Sequence, residues 1–188
     1  MIMPNSLRWL VLTGCAISLA PGAAPGQGAA PTESQVKAAF LYNFANFVEW
    51  PEADNGASTS SVVFCVIGET PVAADLDAAL RGRKIHNREP EVRRFRSLRE
   101  LGGCQVLFVS AEEGPRLRQI LGATEGLAML TVGETERFAK MGGMVNFYTE
   151  ESRVRFEINV EETREVGLSV SSRLLRLARL VETEGGEL

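Results

Sequence analysis

The sequence predicts an α/β fold: a mostly parallel central sheet flanked by helices, Rossmann-like or flavodoxin-like, with a late antiparallel hairpin. Three observations carry this. Continuous apolar runs, SVVFCVI (61–67), QVLFVS (105–110) and LAMLTV (127–132), read as strands buried on both faces. Helical segments alternate with them. Near the C-terminus, 143–149 and 153–159 alternate apolar and polar residues around Glu150-Glu151-Ser152, a hairpin signal.

The elements follow in order. Arg8, the apolar run Trp9 to Ala20 and the Ala/Gly/Pro-rich stretch Pro21 to Pro31 have the order of a secretory signal. Residues 1–30 are therefore expected to be a cleaved export segment, and 32–184 a single α/β domain. Leu12-Thr13-Gly14-Cys15 also resembles a lipoprotein cleavage box, so anchoring at Cys15 is a second option. Thr32 and Gln35 have capping-box spacing and open a helix in which Phe40, Phe44 and Phe47 share one face. Pro51 ends that helix by forcing Trp50 out of helical geometry. After the first strand, Val72 to Leu80 reads as a helix and Glu91 to Phe95 as a more polar strand. Pro115 to Leu121, Glu136 to Met141 and Glu161 to Val166 read as short helices. Ser171 to Glu182 reads as a C-terminal helix with Leu174, Leu177, Ala178 and Val181 on its apolar face.

Composition limits the function. The chain has 188 residues, 45% hydrophobic, with a net charge of −4, a balance that does not suit nucleic acid. Three cysteines and one histidine leave little material for a metal site, and no Gly-rich phosphate fingerprint is present. No cofactor is expected. His86, the single histidine, sits in a polar segment and reads as a solvated loop residue, so nucleophilic catalysis has poor support.

Four features remain. The predicted strand ends carry Glu69, Ser110, Glu112 and Glu134, a possible ligand rim for a cationic or amine ligand. The same acids also suit helix N-termini through the helix dipole. The segment from Arg81 to Arg99, with Arg93, Arg94 and Arg96, is a basic patch suited to an acidic partner or an anionic membrane surface; it also suits a charged edge strand that blocks unwanted pairing. Arg173 and Arg176 flank the last apolar face, which either docks on the sheet or forms a dimer interface. Finally, Cys65 and Cys104 lie in or beside strands that neighbour one another in a 2-1-3 sheet. In an oxidising compartment they suggest one disulfide, the alternative being two buried thiols.

The block VKAAFLYNFANFVEWP (36–51) resembles the YfiR family of bacterial periplasmic regulators. FCVIG (64–68), CQVLFVS (104–110), LTVG (130–133), GGMVNF (142–147), VRFEIN (154–159) and SSRLL (171–175) extend the resemblance over nearly all of the chain after Ser34. The resemblance implies periplasmic location, dimerisation and a Cys65–Cys104 disulfide. It also implies a non-enzymatic regulator that binds and represses an inner-membrane diguanylate cyclase, lowering cyclic di-GMP and biofilm formation, with an outer-membrane lipoprotein as the relieving partner. In some family members a second cysteine pair lies near the late hairpin, where this chain has Asn146, Phe147, Tyr148 and Thr149. A periplasmic small-molecule sensor acting on another membrane receptor, such as a histidine kinase, is the alternative function. On either reading, Phe40, Phe44 and Phe47 are expected to pack on the sheet or against a second subunit.

Overall fold

Helix α1 (Glu33–Phe47) opens with the expected capping box: the Gln35 N–H donates to Thr32 Oγ1 (3.3 Å) and the Thr32 N–H to Gln35 Oε1 (3.0 Å). The computed structural model describes residues 30–51 and 61–184. The export segment and Cys15 lie outside the described residues. α1 is apolar on most sides, but burial selects one stripe: Ala38, Leu41, Phe44 and Ala45. The helix ends at Phe47, short of Trp50. Val48–Glu49 becomes a strand, β1, pairing antiparallel with β8 (Ser169–Val170). The Ser171 N–H then reaches the Phe47 carbonyl at 2.8 Å. This extended exit hydrogen-bonds the backbone leading to Trp50, whose conformation Pro51 already biases away from the helix.

The main sheet has seven strands in the order β3-β2-β4-β5-β6-β7-β9. β2 (Ser61–Ile67), β3 (Glu89–Phe95), β4 (Val106–Val109), β5 (Leu130–Gly133) and β6 (Val145–Glu150) run parallel. β7 (Arg153–Asn159) turns back antiparallel to β6, and β9 (Arg179–Val181) lies parallel to β7. Every residue of β4 and β5 is buried, as their unbroken apolar sequences require when helices cover both faces. In β2 the period-2 rule divides the core. Val62, Phe64 and Val66 face α1 and α2 (Val72–Leu80), while Val63, Cys65 and Ile67 join Leu117 and Ile120 of α3 (Leu117–Thr124).

β2 and α2 have the expected bounds, whereas β3 starts two residues earlier than the sequence indicated. The stretch read as a helix from Pro115 starts as a 3-10 turn, Ala111–Arg116, before α3. Phe138–Met141 is likewise a 3-10 turn. The hairpin tip places Glu151 and Ser152 at φ of 49° and 59°, the left-handed pair that a two-residue turn needs to match strand twist. α4 (Val160–Glu165) follows, with Asn159 Oδ1 accepting from the Glu162 N–H.

The long C-terminal helix does not form. Only Ser172–Leu175 is helical (α5), and the chain then extends into β9. Leu174 is buried as expected, but Leu177 and Leu180 stand 71% and 58% exposed. The reason is a demand from the sheet. Glu157 of β7 is 3% exposed and needs a cation, and β9 delivers Arg179 Nε to its Oε2 at 3.1 Å. An isolated helical pattern carries no record of that distant carboxylate.

Candidate functional site

Sheet order reverses at β2, between β3 and β4, the place where open α/β sheets form a crevice. Here the crevice is closed. Ser110, after β4, is 1% exposed, and its Oγ has no hydrogen-bond partner. Gly68, after β2, lies over it at φ +88°; a Cβ at that position would come within 2.1 Å of Ser110 Oγ. Only glycine fits so near, and in so left-handed a conformation.

The other rim residues diverge. Glu69 pairs with Arg96 beyond β3, and hydrogen bonding to that guanidinium holds its carboxyl below the usual range. It lines a cleft of about 540 Å³ with Thr70, Arg94 and Glu100. Glu112 is exposed on the 3-10 turn. Glu134 turns toward α1, bonding Lys37 Nζ at 2.6 Å and accepting the Ala111 N–H at 3.1 Å. Glu69 and Glu134 thus line separate clefts.

Lys37 anchors the start of α1 to this rim, with its side chain 12% and that of Glu134 14% exposed. Burial pulls the Lys37 pKa down, but hydrogen bonds to Glu134 and Glu33 and their negative charges outweigh it, leaving the pKa above the usual 10.5. The pair's stabilisation is therefore complete below that value and lost as pH rises through the raised one. Lys37→Met is expected to cost about 1–2 kcal/mol near neutral pH. It should also reduce the loss of stability in alkali, relative to wild type, in urea unfolding measured across that range. Identical alkaline profiles would show that the pair contributes nothing.

The Cys65–Cys104 disulfide joins β2 to the residue before Gln105, with the two Cα atoms 5.8 Å apart. Gln105 locks the same junction: its N–H donates to the Val63 carbonyl at 2.9 Å and its Oε1 accepts the Val63 N–H at 2.7 Å. Both cysteines are buried in the α3-side core. Among the described residues, no group of His, Cys, Asp or Glu is arranged to hold a metal ion.

Four basic side chains of the segment are ion-paired. Arg93 pairs with Glu91 at 2.8 Å, Arg94 with Asp77, Arg96 with Glu69 and Lys84 with Glu89 at 3.4 Å. Arg83 lies over the Tyr42 ring at 4.8 Å. Asp77 and Glu69 come from outside the segment, so a local charge count misses them. His86, exposed as expected, places Nε2 3.0 Å from the Ala45 carbonyl near the end of α1.

The phenylalanines of α1 separate by depth. Phe44 is fully buried, with ring centroids 5.6 Å from Phe147 and 5.0 Å from Phe156; Phe40 lies 5.3 Å from Phe156. Phe47 is half-buried and shares a cleft of about 310 Å³ with Asn46, Ser169, Ser171 and Arg173. Arg176 is exposed.

One polar cluster escaped the sequence reading. Asn146 and Glu157 are cross-strand partners on β6 and β7, each 3% exposed. Asn146 Nδ2 donates to Glu157 Oε1 at 3.2 Å, and Arg179 lies 4.1 Å over the Tyr148 ring. The available signal was two polar residues on strands whose other neighbours are buried.

The YfiR/HmsC-like family matches residues 34–179. The chain belongs to that family. The family consists of periplasmic regulators in cyclic di-GMP signalling that act with a membrane-protein partner and have regulatory rather than catalytic roles. Among solved structures, the chain is similar to the ABC domain in complex with L-Trp from Streptococcus pneumonia. Identity is 9%, with 64% of this chain and 55% of that chain covered and a TM-score of 0.47. The chain therefore spans little more than half the length of that structure. Among the described residues, no helix is long and apolar enough to cross a membrane.

Proposed function

We propose that this chain binds and represses the periplasmic sensing domain of an inner-membrane diguanylate cyclase, lowering cyclic di-GMP and biofilm formation. The family match across residues 34–179 is the observation that carries this reading. The buried disulfide supports it, because such bonds persist in oxidising compartments. In this reading residues 1–30 direct export and are removed, residues 32–184 act as one domain, and the protein works as a homodimer. An outer-membrane lipoprotein that captures it relieves repression. Phe47 with Arg173 and Arg176 forms the contact surface, whereas Phe40 and Phe44 support it from within. Deleting the gene should raise cellular cyclic di-GMP, and the purified protein should capture the cyclase's periplasmic domain. Unchanged cyclic di-GMP together with no capture would refute the proposal. A small-molecule sensor acting on another membrane receptor is a second reading, favoured by the unpartnered buried acceptor at Asn146.

A further inference from the structure

We infer that β9 is a docking edge for a second copy of this chain, paired antiparallel, strand to strand, about a two-fold axis at Leu180. The two edges of the seven-stranded sheet are built differently. β3 carries Pro90 together with Glu89, Glu91, Arg93 and Arg94, the proline and charges that keep an edge from pairing. β9 has only Arg179, and that side chain is turned onto the buried Glu157. Among the described residues, no strand pairs with the outer side of β9. Leu180 is the register partner of Ile158, so it shares the sheet face of that fully buried residue and carries the core's apolar row past the sheet edge. It is 58% exposed there, and Leu177 just before the strand is 71% exposed.

The backbone is set for such a pairing. The Asn159 N–H donates to the Met144 carbonyl, on the β6 side of β7. Alternation along β7 then points the N–H and carbonyl of Ile158 at β9. In a parallel ladder those two groups meet the Val181 N–H and the Arg179 carbonyl, which leaves the N–H and carbonyl of Leu180 facing outward. Two copies of Leu180 set opposite each other in an antiparallel pair exchange both N–H···O bonds and bring their exposed side chains together on one face. The flanking charges select the antiparallel arrangement. Arg176 precedes β9 and Glu182 follows it, and among the described residues neither has an ion pair. Antiparallel pairing sets the basic end of one strand beside the acidic end of the other, twice by symmetry. Parallel pairing would set like charges together.

This inference rests on the homodimer reading above and names its interface, with Arg176 on the seam. Sedimentation velocity of the exported protein between about 1 and 200 μM reads the dimer, and urea unfolding checks the fold of each variant. The wild type should dimerise in that range. Leu180→Lys puts like charges directly opposite each other and should weaken the dimer about ten-fold or more. Leu180→Glu should do the same, whereas an equimolar mixture of the two variants should regain the dimer, because each lysine then faces a glutamate. Leu180→Pro removes the outward N–H but leaves the Val181 N–H to β7, so it should lose the dimer and keep the fold. Glu182→Arg should weaken the dimer about three-fold or more, and adding Arg176→Glu should restore it; this pair decides the matter if the Leu180 variants fail to fold. A dimer indifferent to Leu180→Lys, or a mixture as monomeric as its components, would overturn this interface while leaving a homodimer through another surface. A wild type still monomeric at about 200 μM would overturn both.

Discussion

Phe44→Asp is expected to abolish cooperative folding. Phe44 has no exposed surface and lies within about 6 Å, centroid to centroid, of the rings of Phe40, Phe147 and Phe156. Truncating such a ring to alanine costs about 3–5 kcal/mol through lost transfer energy and the cavity left behind. Aspartate adds a carboxylate with no nearby donor, which must stay desolvated or take up a proton. Against a total stability of about 5–15 kcal/mol for a domain of this kind, the two costs together exceed what α1 can absorb. Phe47→Asp, on the half-buried rim, is the matched control and should cost far less. Urea unfolding followed by far-UV circular dichroism measures both. A wild-type midpoint for Phe44→Asp would mean that α1 does not pack on β6 and β7 as described.

Removing the disulfide should produce the second large loss. The bond closes a loop with a sequence separation of 39, and in the chain-entropy model that amounts to about 4 kcal/mol at 25 °C. Cys65→Ala with Cys104→Ala is the appropriate variant, since both side chains sit among apolar neighbours and serine would add an unpaired hydroxyl. Cys65 and Cys104 are 1% and 6% exposed, so reductant alone should act slowly on the native protein and quickly once denaturant opens the core. Alkylation with mass spectrometry reads the thiols, and the urea midpoint reads the stability. Two alkylatable thiols in the native exported protein, or an unchanged midpoint in the double alanine variant, would show that the bond does not support the fold.

Local sequence made much of the architecture legible. β2 and β4 announce themselves as buried parallel strands because both faces are apolar, and α1 because Thr32 and Gln35 cap it reciprocally. The same local signal misled at the C-terminus. Spacing of Leu174, Leu177 and Val181 suits a helix, yet β9 is recruited by a carboxylate on β7. It also overstated two candidate sites. In the basic patch, Asp77 and Glu69 arrive from elsewhere in the chain to pair with Arg94 and Arg96, which lowers its excess positive charge. The acidic rim holds together only until Gly68 closes over Ser110 and Lys37 turns Glu134 toward α1.

The sequence by itself determined the fold class and the family. Each depends on periodicity, capping and ordered blocks that neighbouring residues carry among themselves. The tertiary structure alone decided which charges are neutralised, which Phe side chains are interior, and that the last segment is a strand. It also decided that Asn146 is left with an unpartnered carbonyl. Those outcomes depend on burying a polar group beside whatever partner the fold delivers, and that partner is set by contacts between residues far apart in the chain.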